Sequence, residues 1–199
     1  WMIGSVQYGG RRRTKDGGQS QDGATPPNQN GGWIAPLFYD PNDHMKVYHM
    51  GDTVYRSDDF GSSWTKLGTP SFSGTISYAT VAETNSERLI VARGQDIEKS
   101  LDGGLTFQDI QGTLPNSSIS DIAFDPNDDW VIVVTYASYQ ANGEKVFITT
   151  NQGITWQNIT YNLNDMPIRS VVIDHTNEST IYLGTEIGVY KKAMADNSW

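Results

Sequence analysis

Ser57-Asp58-Asp59-Phe60-Gly61-Ser62-Ser63-Trp64 spells out a turn residue by residue. A glycine at the fifth place can take positive φ at no steric cost. The carboxylate at the third place can accept hydrogen bonds from backbone N–H groups of the turn, and hydroxyls at the first and seventh can brace it. The closing aromatic can bury a large apolar area against neighbouring strands. The pattern returns as Ser100-Leu101-Asp102-Gly103-Gly104-Leu105-Thr106-Phe107. With Asn in place of Asp it returns as Thr149-Thr150-Asn151-Gln152-Gly153-Ile154-Thr155-Trp156. An eroded copy, Thr14-Lys15-Asp16-Gly17-Gly18-Gln19-Ser20, lacks the aromatic, and Asp196-Asn197-Ser198-Trp199 keeps only the end. Gly18, Gly61, Gly104 and Gly153 are 43, 43 and 49 residues apart. Trp64, Phe107, Trp156 and Trp199 are 43, 49 and 43 apart. Four copies in step are a repeat.

Other features recur in the same phase. A short strand precedes each turn, as in Thr53-Val54-Tyr55-Arg56 and Lys145-Val146-Phe147-Ile148. Before it comes another, such as Val47-Tyr48-His49-Met50-Gly51 or Ile181-Tyr182-Leu183-Gly184. Earlier still, a strand runs into a polar turn, as in Leu37-Phe38-Tyr39 before Asp40-Pro41-Asn42-Asp43. After the turn a fourth short strand begins. Four strands per period, with no helical apolar spacing, make the blade of an all-β propeller with four-stranded antiparallel blades. The expected division is a partial blade and loop at 1–32, blades at 33–72, 73–115 and 116–164, and a partial blade at 165–199. The extra residues of the longer spacing fall around 138–143, as a lengthened hairpin. Both ends fall inside blades, so an incomplete portion of a larger ring is expected, in a processed or partial chain.

The composition fits this. Of 199 residues, 37% are hydrophobic and 11% aromatic, with 20 Gly and 8 Pro, which is globular and rich in turns. A net charge of -9 argues against nucleic-acid binding. Arg11-Arg12-Arg13 reads as a solvated strand end. There is no cysteine, hence no disulfide framework or thiolate metal site. The longest apolar run, Val131-Ile132-Val133-Val134, is too short to cross a bilayer.

The octapeptide resembles the Asp-box, or bacterial neuraminidase repeat, of sialidases, sortilin-type receptors and some xyloglucan-cleaving glycosidases. Glycine-rich stretches like the one after Gln7-Tyr8-Gly9-Gly10 are similar to those of large bacterial secreted Asp-box proteins. The resemblance implies a propeller, a secreted or cell-surface location, and protein or glycan partners. It also implies that the box residues lie at the blade periphery and serve folding, so no catalytic residue is carried over from it.

Little else in the sequence points to chemistry. Nothing corresponds to a sialidase arginine triad, and no cofactor or metal is expected. Asp58 and Asp59 are too few ligands to specify Ca²⁺, and His44, His49 and His175 lack metal-ligand spacing. Asp40, Asp121, Asp125 and Asp174 are the acids a glycosidase reading would draw on, although turn roles account for most of them. Asn116, Asn158 and Asn177 head glycan acceptor sequons. Residues 19–32, rich in Gly, Gln, Asn and Pro, form the expected contact loop, leading to Gly31-Gly32-Trp33. The expected function is a non-catalytic extracellular binding or structural module within a larger secreted protein. The alternative is a portion of a glycoside hydrolase.

Overall fold

The structure, a computed structural model, describes residues 1–139, 143–176 and 179–199. Five antiparallel sheets follow one another along the chain. The first holds β1 (Met2–Ser5), β2 (Arg11–Thr14) and β3 (Asp22–Gly23). The second holds β4 (Leu37–Asp40), β5 (Asp43–Met50), β6 (Val54–Ser57) and β7 (Thr65–Lys66). The third holds β8 (Tyr78–Val81), β9 (Leu89–Arg93), β10 (Asp96–Ser100) and β11 (Gln108–Asp109). The fourth holds β12 (Ile119–Asp125), β13 (Asp128–Tyr136), β14 (Val146–Thr149) and β15 (Gln157–Asn158). The fifth holds β16 (Ile168–Ile173), β17 (Thr180–Thr185) and β18 (Gly188–Ala193).

Every strand pairs with its neighbour in sequence, so each sheet is a meander. Of the leading strands, β12 packs against β8 on one side and β16 on the other, and the three form the inner side of an arc of propeller blades. Alternation explains how the sheets stack. Ile132 and Val134 of β13 join Ile90, Ile97 and Ala92 in the core between the third and fourth sheets. Val133, between them, faces the other way and joins Val171, Ile181 and Leu183 of the fifth sheet. A strand covered on both faces reads as a continuous apolar run, which is why residues 131–134 alternate in direction and not in polarity. Fully burying each such side chain contributes about 1.5–3 kcal/mol.

Two expectations need correction. Residues 19–32 are not one irregular loop: Ser20 still belongs to the first turn, β3 follows it, and Ala24 and Pro26 are buried. Arg11 is not a solvated strand end. It is 1% exposed, and its guanidinium donates to Ser5 Oγ at 2.7 Å, Ala35 O at 2.9 Å and Pro36 O at 3.0 Å. The expected long hairpin at 138–143 and the sequon at 177 lie partly outside the described residues.

Candidate functional site

The repeated turns use one set of bonds. Ser57 Oγ donates to Asp59 Oδ1 at 2.8 Å and accepts from Gly61 N at 2.7 Å. Asp59 then accepts the amides of Ser62 and Ser63 and the Ser63 hydroxyl, at 2.9, 2.8 and 2.7 Å. Asp102 repeats this with Ser100, Leu105 and Thr106, and Asp16 with Thr14 and Ser20. Asn151 does it without charge, accepting from Thr149 Oγ1 and Thr155 N and donating to Thr155 Oγ1. The fourth and fifth places carry positive φ in all four turns; Phe60 and Gln152 lie at 57° and 54° before Gly61 and Gly153.

The turns also tie each sheet to the next. The Trp64, Trp156 and Trp199 indole N–H groups each donate at 2.8 Å, to Ala24 O, Ile110 O and Ile159 O. Each acceptor directly follows the outermost strand of the preceding sheet. Phe107 has no donor, and there Gly68 N donates to Gly104 O at 2.7 Å instead. Lys99 Nζ reaches Gln152 O at 2.9 Å in the next turn, as Arg13 Nη1 reaches Phe60 O at 3.5 Å. In the fifth sheet Lys192 stands where the hydroxyl would be. Its ammonium donates to Ala193 O, Met194 O and Asp196 O at 2.9, 3.1 and 2.8 Å, so the polarity of the turn is reversed.

These bonds depress the carboxylates. Burial pushes Asp59 up, but the Ser63 amide and hydroxyl, the Ser57 hydroxyl and the Ser62 amide outweigh it and hold the group at about 2. The Thr106 hydroxyl leads the set that holds Asp102 at about 2. A carboxylate depressed on folding stabilises fully above its unfolded value near 4 and loses that contribution as pH falls toward its folded value. The urea midpoint should therefore drop between about pH 4 and 2, and an Asp59→Asn/Asp102→Asn chain should show a shallower drop. An unchanged acid slope in that double variant would remove these two turns as its source.

The acids of the glycosidase reading separate. Asp40 and Asp125 are buried turn residues accepting the Asn42 and Asn127 amides at 2.9 and 2.8 Å, and Asp174 accepts the Thr176 amide and hydroxyl. Asp121 differs. It lies on inner strand β12 at a bulge and bridges to β16, accepting Val171 N at 2.9 Å. Burial raises its carboxyl, against the pull of the Val171 and Ile122 amides. Asp58 pairs with Arg56 at 3.1 Å while Asp59 points into its turn, so the two do not converge. Among the described residues no three His, Asp or Glu gather as metal ligands. His49 is buried against the Tyr55 and Trp64 rings, and burial, then Arg11, lowers it to about 3.

An uncharged surface lies at the opposite end of β2 from the turn. The bend between β1 and β2 sets Tyr8 at a φ of 58°, with its ring edge-on to Trp33 at 5.1 Å. Gln29 Nε2 donates to Tyr8 O at 3.0 Å, Asp52 N to Asn30 O at 3.0 Å and Tyr55 OH to Asn28 O at 3.3 Å. These bonds clamp residues 28–33 between two hairpins. Gly31 is required here, because a Cβ would come within 2.7 Å of Gly9 Cα. Val6, Tyr8, Trp33 and Ile34 stand 52%, 65%, 59% and 81% exposed. Beside them, a cleft of about 440 Å³ runs between Val6 and Ile34. Residues 1–10 and 24–39 contain no Asp, Glu, Lys or Arg. The sequence marks the contact loop and Trp33, which Ile34 follows directly; Val6 and Tyr8 join them only through the fold.

The sequence profile described as Sortilin, neurotensin receptor 3 (Sortilin-Vps10) matches residues 52–184. No curated protein matches the chain. An ancestral GH74 enzyme superposes with a TM-score of 0.66 at 29% identity, over 82% of this chain and 23% of its own. The GH74 xyloglucanase from Xanthomonas campestris gives 0.76 at 15% identity, over 99% and 35%. YCF48 bound to D1 peptide gives 0.55 at 11% identity, over 87% and 59%. The last two likenesses are of fold alone. The chain thus spans about a quarter to three-fifths of the lengths of these proteins.

Proposed function

The chain belongs to the Sortilin-Vps10 family, and from that premise we propose that it is a non-catalytic binding module of a secreted or cell-surface protein. Its turns are Asp-boxes that hold the blades, divided at about 33, 73, 116 and 165. Its partner, a protein or a glycan, meets the uncharged face around Tyr8, Trp33 and Ile34. The observation that carries this reading is the exposure of those side chains on a loop clamped by backbone bonds. Large exposed aromatics rimmed by neutral polar groups are the chemistry of recognition, and a positive φ at Tyr8 is a cost retained where the ring is presented outward. YCF48 bound to a peptide is a propeller precedent for such a role.

The experiment is binding to a printed array of neutral oligosaccharides and uncharged synthetic peptides. A Trp33→Ala/Tyr8→Ala chain should lose about tenfold or more in signal with its unfolding midpoint unchanged. Retained signal would refute the assigned face.

One observation favours a second reading, a portion of a glycoside hydrolase: Asp121, a half-buried acid on an inner strand, in a chain similar to a xyloglucanase. Hydrolysis of xyloglucan by the chain, abolished by Asp121→Asn, would establish it in place of the binding module.

A further inference from the structure

A cavity of about 10 Å³, enough for one occupant the size of a water molecule, lies between the third and fourth sheets beside the Asn151 turn. The third sheet supplies Arg88, just before β9, and Lys99 of β10; the fourth supplies Asp129 of β13 and Gln152. Phe124 and Ile132 are among its apolar walls. Lys99 is 6% exposed, and its Nζ donates to Gln152 O at 2.9 Å, which uses one of the three N–H groups of the ammonium. Arg88 Nη1 donates to Leu101 O at 3.2 Å, while its buried Nε finds no hydrogen-bond acceptor among the described residues. The Asp129 carboxylate stands 3.8 Å from that Nε and accepts the Gln152 side-chain amide at 3.4 Å.

The charges around this cavity do not balance. At the same place before the first and second turns, Arg13 meets Asp22 at 4.0 Å and Arg56 meets Asp58 at 3.1 Å. Among the described residues no carboxylate pairs with Lys99, so two cations share the single charge of Asp129. Burial, then the charge of Arg88, lowers the Lys99 ammonium. The geometry points to a chloride site in this cavity, where the ion accepts from the Lys99 ammonium and Arg88 Nε and joins the third sheet to the fourth. One negative charge offsets the excess; a metal cation would add to it, and a water would leave it uncompensated. Sulfate and carboxylates are too large for the space. The apolar walls favour chloride or bromide over fluoride, which holds its water more tightly. The site is separate from the uncharged face and stands whether or not that face binds a partner.

The test is urea unfolding at constant pH and ionic strength as sodium chloride replaces sodium gluconate, whose anion is too large for the cavity. Once chloride exceeds its dissociation constant, the folding equilibrium constant should rise about tenfold for each tenfold rise in chloride, the linkage limit for one site. Bromide should reproduce the rise and fluoride should not. Lys99→Met, which keeps the apolar stem, should abolish the dependence on chloride, and so should Arg88→Gln. The Arg88 side chain is 25% exposed, so that variant spares the core should Lys99→Met fail to fold. Equal stability in chloride and gluconate up to molar concentration would mean that the cavity takes water only and would overturn the site. A dependence on chloride that persists undiminished in Arg88→Gln would overturn it as well.

Discussion

An Asp102→Ala chain is expected to lose about 2–3 kcal/mol of stability, and an Asp102→Asn chain less than about 1 kcal/mol. Asp102 accepts four hydrogen bonds, from Ser100 Oγ, Leu105 N, Thr106 N and Thr106 Oγ1. Alanine leaves all four donors to find water or go unpaired, in a turn whose Gly103 and Gly104 sit at φ of 71° and 91°. Asparagine keeps one acceptor oxygen in place. The fourth turn has already made this substitution: Asn151 accepts from Thr149 and Thr155 and turns its amide toward the Thr155 hydroxyl. Urea unfolding monitored by tryptophan emission reads the difference. Equal losses in the two variants would mean that charge, and not the bond pattern, holds the turn.

The second large effect is expected at Trp156. Trp156→Ala should cost about 3–4 kcal/mol, through lost packing against the core between the third and fourth sheets and the unpaired Ile110 carbonyl. Trp156→Phe should cost about 1 kcal/mol, the share of the indole hydrogen bond. Phe107 is the natural precedent, since its turn dispenses with that donor and uses Gly68 N instead. A Trp156→Phe chain as unstable as Trp156→Ala would show that the 2.8 Å bond outweighs the packing.

The parts of this architecture that were legible in the sequence are those that local chemistry repeats. The hydroxyl, carboxylate and glycine of each turn act on one another within seven residues, and the aromatic keeps a fixed place after them although its indole reaches the preceding sheet, so spacing alone reveals the set. The apolar run at 131–134 was visible as a run, but its burial on both faces emerges only from the sheets that flank it. Other long-range features were not legible. Arg11 is indistinguishable from Arg12 in a basic run, yet its guanidinium reaches carbonyls 24 and 25 residues away. Lys192 supports the last turn with donors where the others use an acceptor, so nothing in the motif aligns with it. The uncharged face was half visible. Both charge-free stretches can be read off the chain, but only the approach of Gly9 to Gly31 brings Tyr8 and Trp33 together.

In the proposed function, the turns hold the blades and the uncharged face at the other end of the strands binds the partner. The most direct test reads array signal and unfolding midpoint together on Trp33→Ala and Trp156→Phe. Trp33→Ala should lose about tenfold in signal at an unchanged midpoint, while Trp156→Phe should lose midpoint and keep signal. A Trp33→Ala chain that binds as well as its parent, or a Trp156→Phe chain that loses binding at an intact midpoint, would contradict the claim.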